Sequence, residues 1–227
     1  MRKPVIAIDG FSSTGKSSIS KVIAEKLGLI HMDTGALYRG ITFFALQCCK
    51  NEKANIDLQK LISNLNKINL EFREENGMLV LFLNNTDISS EIRTPEISEN
   101  VSLIATLPEV REFLLHTQRS IAEKGGIIMD GRDIGSIVLP NADYKFFLTA
   151  SIDERTKRRH LELLSLGIKT DAASVKENLL LRDKTDSERT IAPLIQAKDA
   201  ILIDNSELTK KETVQLILSH IKTFNNI

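Results

Sequence analysis

Gly10-Phe11-Ser12-Ser13-Thr14-Gly15-Lys16-Ser17 fits the pattern G-x-x-x-x-G-K-[ST], and the apolar run Val5-Ile6-Ala7-Ile8 stands just before it. A buried strand, a glycine-framed loop and a helix in that order make a cradle for polyphosphate. The glycines let the loop curl so that successive N–H groups point inward, and the helix that follows sets its positive end behind the phosphates. Gly10, Phe11, Ser12, Ser13, Thr14, Gly15, Lys16, Ser17 and Ser18 are therefore the expected nucleotide-binding residues. Lys16 would reach the terminal phosphates and Ser17 would ligate magnesium.

Outward from this loop, apolar runs recur near residues 29–32 and at 127–129, 146–148 and 201–203, with helical patterns between them. Strands separated by helices predict crossover connections and a mostly parallel sheet covered on both faces. Ligands of such sheets sit at the carboxyl ends of the strands. Asp9, Asp33, Asp130 and Asp204 each stand at or just past such an end.

One stretch breaks the rhythm. Apolar Ile68, Leu70 and Phe72 alternate with Asn69, Glu71 and Arg73, and Asn76-Gly77 is a strong hairpin signal before a second run over residues 78–83. A third short strand is expected after Asn84-Asn85, so residues 60–100 read as a small antiparallel insert. Helices are predicted over 94–104, from Pro108 to near Gly125, and from 175 to about 183 behind a Ser174/Glu177 capping box. A last helix carries Val214, Ile217, Leu218 and Ile221 on one face.

The 227 residues suffice for one sizeable α/β core, and 30 basic residues balance 30 acidic ones. The global field therefore gives no reason to expect non-specific binding to nucleic acid or to an anionic membrane. Cys48 and Cys49 are adjacent, where an unstrained disulfide is disfavoured, and no apolar stretch approaches the ~18 residues of a membrane span. The expectation is a cytoplasmic monomer with small-molecule partners, and with neither nucleic acid nor membrane among them.

Several later constellations carry chemistry. No N-K-x-D motif accompanies the loop, which argues against a guanine-specific switch. Thr34, Tyr38 and Arg39 open a helix after the second strand, where Arg39 either forks onto an acceptor phosphate or faces solvent. Asp130-Gly131-Arg132-Asp133 follows a central strand, a place where acids and an arginine are costly to bury without a site to serve. Arg182, Asp186 and Arg189 share a face if helical. Arg155, Lys157, Arg158 and Arg159 follow the fourth strand and form either a lid over transferring phosphates or an ordinary basic helix face. His31, His116, His160 and His220 show no metal-ligand spacing.

Taken together, IAIDGFSSTGKSS (6–18), MDTGALYR (32–39), SSEIRT (89–94), DGRDIG (130–135), RDKTDSER (182–189) and DAILIDNS (199–206) resemble the bacterial cytidylate kinase family, in order and spacing, over essentially the full chain. The resemblance implies an α/β fold: a P-loop NTPase core with a five-stranded parallel sheet in the order 2-3-1-4-5, flanked by helices. It further implies a single domain over 1–227, with a core at 1–59 and 101–227, an acceptor-binding insert at about 60–100 and a helical lid at about 153–170.

The implied reaction is phosphoryl transfer from ATP, with Mg2+, to CMP or dCMP. By position, Arg39, Arg132 and Arg189 match acceptor-phosphate contacts, Ser102, Arg111 and Asp133 match cytosine contacts, and Arg182 and Asp186 match sugar contacts. Thr34 and Tyr38 adjoin that site. Lys16, Arg132, Arg158 and Arg189 are the implied catalytic residues. Phe11 departs from a frequent proline and Ser18 from a frequent threonine.

Overall fold

In the computed structural model, which describes residues 2–75 and 78–221, β1 (Val5–Gly10) and β6 (Ile127–Gly131) are buried along their whole lengths. Apolar runs without alternation are what strands covered on both faces require. Asn76-Gly77, where the sequence predicts the hairpin turn, lies outside the described residues.

β1 pairs in parallel with β6, from Val5 opposite Ile127 to Asp9 opposite Gly131. On its other side it pairs in parallel with β7 (Tyr144–Thr149), from Ile6 opposite Tyr144 to Gly10 opposite Leu148. With β2 (Ile30–Asp33) and β8 (Ile201–Asp204) the five-stranded sheet runs β2-β6-β1-β7-β8. Counted along the parallel strands alone this is 2-3-1-4-5, the order the resemblance implies.

The chain divides into two compact units, Met1–His31 with Gly125–Ile227, and Met32–Lys124. In the first, Ile6, Ile8, Ile128, Phe146 and Leu148 of the sheet pack with Ile19 and Ile23 of α1 (Lys16–Leu27) and with Val214 and Ile217 of α8 (Lys210–His220). The predicted last helix therefore covers the sheet, and a capping box between Thr209 and Glu212 starts it. A smaller cluster joins α6 (Ile152–Ser165) to α7 (Ala172–Glu188) through Leu163, Val175 and Leu179.

α7 is longer at both ends than its sequence pattern predicts. Asp171, rather than Ser174, is the cap: its carboxylate accepts from the Ser174 amide at 2.8 Å and from the Ser174 hydroxyl at 2.7 Å. No helix breaker stands between Ser174 and Pro193, so the helix runs on through Asp186.

The second unit holds α2 (Thr34–Cys48), α3 (Leu58–Ser63), α4 (Pro95–Ile104) and α5 (Pro108–Ala122). It also holds an antiparallel sheet of β3 (Leu70–Glu75), β4 (Met78–Leu83) and β5 (Thr86–Asp87). The third strand follows Asn84 and Asn85, whose φ angles of 47° and 68° turn the chain. Gly40 explains how this sheet sits on α2: a Cβ there would come within 2.9 Å of Leu70 Cδ2 and 3.3 Å of Ile88 and Leu81 side chains.

Phe146 is 1% exposed at the centre of the first unit's core. Replacing it with alanine should cost about 3–5 kcal/mol, read as a shift in the urea midpoint without a change in slope.

Candidate active site

Gly10 ends β1 with φ 147°, and a Cβ at this position would lie 2.0 Å from the Leu148 carbonyl oxygen. Only glycine lets the loop leave the sheet this close to β7. Ser13 and Gly15 then take φ values of 61° and 86°, curling the chain into the start of α1. Lys16 is buried, and its Nζ donates to the Phe11 carbonyl at 2.7 Å. Thr14 Oγ1 donates to the same oxygen at 3.1 Å, and Ser18 Oγ donates to the Gly15 carbonyl at 3.0 Å.

The Phe11 side chain turns away from phosphate chemistry. Its ring meets Phe147 edge-on at 5.9 Å, and the Arg155 guanidinium lies 5.2 Å from its centroid. The departure from proline thus adds an aromatic anchor under the loop.

The basic cluster of α6 separates by role. Arg155 is buried, pairs with Asp183 at 2.6 Å, and donates to the carbonyls of Ala150 at 3.0 Å and Ser12 at 3.3 Å. Its work is to fasten α6 and α7 to the loop. Arg158 is half-buried, held by Glu154 at 2.9 Å, by the Asn205 side chain at 3.0 Å and by the Asn205 carbonyl at 2.8 Å. It also approaches the Thr14 carbonyl at 3.4 Å, which sets it beside the loop. Asn205, 2% exposed, donates through Nδ2 to that same Thr14 carbonyl at 2.9 Å. Arg159 pairs with Glu162 at 2.8 Å.

A second cluster forms where β6 ends. Arg132 Nη2 donates to Ser12 Oγ at 2.7 Å while its Nε donates to Asp186 at 2.9 Å. Asp186 lies 4.0 Å from Arg189, and Arg189 approaches Asp133 at 3.4 Å. Burial works against a charged Asp186, yet Arg132, Arg182 and Arg189 around it hold its carboxyl below its ordinary range. Arg189 follows the last residue of α7, and its Nε donates to the Ala192 carbonyl at 2.6 Å, where Ala192 takes a φ of 49°. Arg182, Asp186 and Arg189 are thereby gathered with Arg132 and Asp133. Arg132 and Arg189 each face a carboxylate, and their planar donor forks are of the kind that a phosphate can share.

Within the second unit, Arg39 donates to the Ile92 carbonyl at 3.2 Å and to Ser98 Oγ at 3.0 Å. Arg111 donates to the Ala105 carbonyl at 3.2 Å, with its guanidinium 5.6 Å from the Tyr38 ring centroid. Thr34 and Tyr38 are buried on α2 and Ser102 is buried on α4. The unit therefore brings Tyr38 and Arg111 together and seats Arg39 against α4.

Comparison with known proteins decides among the activities that such a loop can serve. The family model described as Cytidylate kinase matches residues 6–223. The chain belongs to the cytidylate kinase family. It is 44% identical over 215 residues to the cytidylate kinase of Bacillus cereus (strain ATCC 10987 / NRS 248), covering 94% of each chain. It is also 44% identical to that of Bacillus thuringiensis (strain Al Hakam), over 94% of this chain and 93% of the relative. A crystal structure of an uncharacterized protein from Eubacterium ventriosum ATCC 27560 shares the fold at 13% identity, with a TM-score of 0.54 over 97% of this chain and 98% of that one.

Among the described residues no group of three or more His, Cys, Asp or Glu side chains is placed to hold a metal. The half-buried Ser17, second residue of α1, offers a hard oxygen donor, and Mg2+ is ordinarily held by one or two such donors with substrate phosphates. No described helix is long and apolar enough to cross a membrane.

Two residues of the site escape sequence reasoning. Asn205 lies in the stretch DAILIDNS (199–206) with no role that its spacing gives, and Asp9 reads simply as one strand-end acid among several. Asp9 is 3% exposed, and its two oxygens accept from the Ile134 and Gly135 amides, each at 2.7 Å. Burial raises its pKa from the ordinary 3.8 to about 6, against the pull of those amides and of Lys16 and with a further push from Asp133.

A folded value above the unfolded one means that the folded chain holds this proton more tightly. The resulting stability is complete below about pH 4 and lost as pH rises through 6. Between pH 4 and 7 the stability of the wild type relative to Asp9→Asn should fall by roughly 3 kcal/mol, checked by urea denaturation of both proteins across that range.

Proposed function

We propose that this chain transfers the γ-phosphoryl group of ATP to the phosphate of CMP or dCMP, giving ADP and CDP or dCDP. The observation that carries the reading is the reach of Arg132, which donates to Ser12 of the donor loop at 2.7 Å and to Asp186 at 2.9 Å. One side chain thus ties the phosphate loop to the arginine cluster that matches the family's acceptor contacts.

An acceptor-phosphate oxygen attacks the γ-phosphorus, and the bond to the β–γ bridging oxygen breaks, leaving ADP. Such transfers need alignment and charge neutralisation more than covalent help. In this reading the loop amides and Lys16 hold the donor phosphates, and Arg158 adds charge beside Thr14. Bound Mg2+, held by Ser17, supplies Lewis-acid neutralisation of the phosphates. Arg39, Arg132 and Arg189 are the residues assigned to the acceptor phosphate. Asp133 accepts from the cytosine amino group, and Arg111 and Ser102 serve the ring's other polar atoms, so uracil leaves those groups mispaired. Arg182 and Asp186 take the sugar. Residues 60–100 serve acceptor binding and residues 153–170 act as a lid. The cysteines Cys48 and Cys49 are free, which suits a cytoplasmic setting.

A coupled ADP-release assay with CMP, dCMP, UMP and AMP at fixed ATP tests the reading. CMP and dCMP should turn over best, and a preference for UMP would overturn the base assignment. Lys16→Met should retain its fold by circular dichroism while kcat drops by about 10²–10³-fold, since the side chain stabilises charge that develops in transfer.

A further inference from the structure

The turn after β6 lacks the cap its sequence offers. Residues Ile134–Val138 form one π-helical turn with Asp133 in the N-cap position, yet the Asp133 side chain makes no capping hydrogen bond. An aspartate there ordinarily accepts from the second or third amide of its own turn, here Gly135 or Ser136. Here Asp133 instead faces Arg189 at 3.4 Å. The orphaned amides are taken from across the sheet by Asp9, whose oxygens accept from Ile134 and from Gly135, each at 2.7 Å.

We infer that Asp9 is a positioning residue that caps this turn in trans and so keeps the Asp133 carboxylate turned toward Arg189 and the acceptor nucleotide. Three features of the surroundings fit this role. Asp9 stands opposite Gly131 in the β1–β6 register, so the contact spans only the end of one strand pair. It directly precedes Gly10, yet both its oxygens are spent on the turn and not on the phosphate loop. Gly135 leaves room for the contact: a Cβ there would lie 3.4 Å from Asp9 Oδ2 and 3.2 Å from Lys145 Cδ. A carboxylate this deeply buried is costly unless its hydrogen bonds are all in use, and core packing alone asks for an apolar residue.

Loss of the trans cap leaves two amides seeking an acceptor, and Asp133, in the N-cap position, is placed to take the second of them, that of Gly135. Once it turns inward to cap its own turn, it no longer reads the base. The inference rests on the proposed discrimination of cytosine from uracil, and the closing experiment separates the two ideas.

Asp9→Asn presents at most one acceptor where two are needed, and Gly135→Ala sets a methyl group against Asp9 Oδ2 at 3.4 Å while Lys145 Cδ, at 3.2 Å, presses on it. Initial rates with CMP and UMP, together with the KM for ATP and the thermal midpoint, should be measured for wild type, both variants and the double variant. In the folded variants the ratio of kcat/KM for CMP over UMP should fall at least about tenfold, because polar readout is lost when its acceptor moves. The KM for ATP should stay within about threefold, and the double variant should be no worse than the poorer single one, as members of one coupled contact behave. Wild-type discrimination in both folded variants overturns the inference, as does a loss of activity that merely follows the folded fraction. A wild-type enzyme indifferent to CMP and UMP overturns the proposed base recognition instead.

Discussion

Arg132 donates from one nitrogen to the Ser12 hydroxyl of the phosphate loop and from another to the buried Asp186 of α7. A guanidinium is planar and permanently charged, so satisfying two partners in different directions fixes its plane as well as its position. Much of the site follows from that constraint. The loop is held toward β6, α7 is held by its last turn, and Arg189 is brought beside Asp133 and Asp186. Burial works to neutralise Asp186, and it is the permanently charged arginines around it that keep its carboxylate ionised.

The phosphate loop is clamped from below as well. Arg155 donates to the Ser12 carbonyl and covers the Phe11 ring, while Asn205 donates to the Thr14 carbonyl. These contacts come from α6 and from the end of β8, elements far from the loop in sequence. They occupy backbone carbonyls and leave the loop amides for phosphate, which is the division of labour an anion cradle needs. Arg155 and Arg158 are only three positions apart, yet the first is a buried strut and the second is half-buried beside the loop.

How far the chain can be read without coordinates differs from element to element. Residues 5–8 announce a buried strand through their unbroken apolar run, and Gly10 and Gly15 announce a loop. The three-stranded antiparallel sheet follows from the alternation over residues 68–73, from the apolar run after it and from asparagines able to take positive φ. α7 is misjudged because Ser174 with Glu177 and Asp171 with Ser174 are both good starts, and local spacing cannot choose between them. Asp9 is hidden for a different reason. A side chain that caps a turn 125 positions away leaves no periodic trace in either segment.

What the linear order determined alone is the chemistry that local geometry demands: a glycine-framed loop between strand and helix, a parallel sheet, and arginines with acids at strand ends. These are settled within a few residues, by φ freedom, apolar run length and helical spacing. The tertiary structure alone decided which of those charges meet. It brought Arg132 to Ser12 and Asp186, made Arg155 a strut, and gave Asp9 the amides that Asp133 leaves uncapped. The physical reason is that a buried charge must find its partners in space, and those partners come from whichever segments the sheet order places beside it.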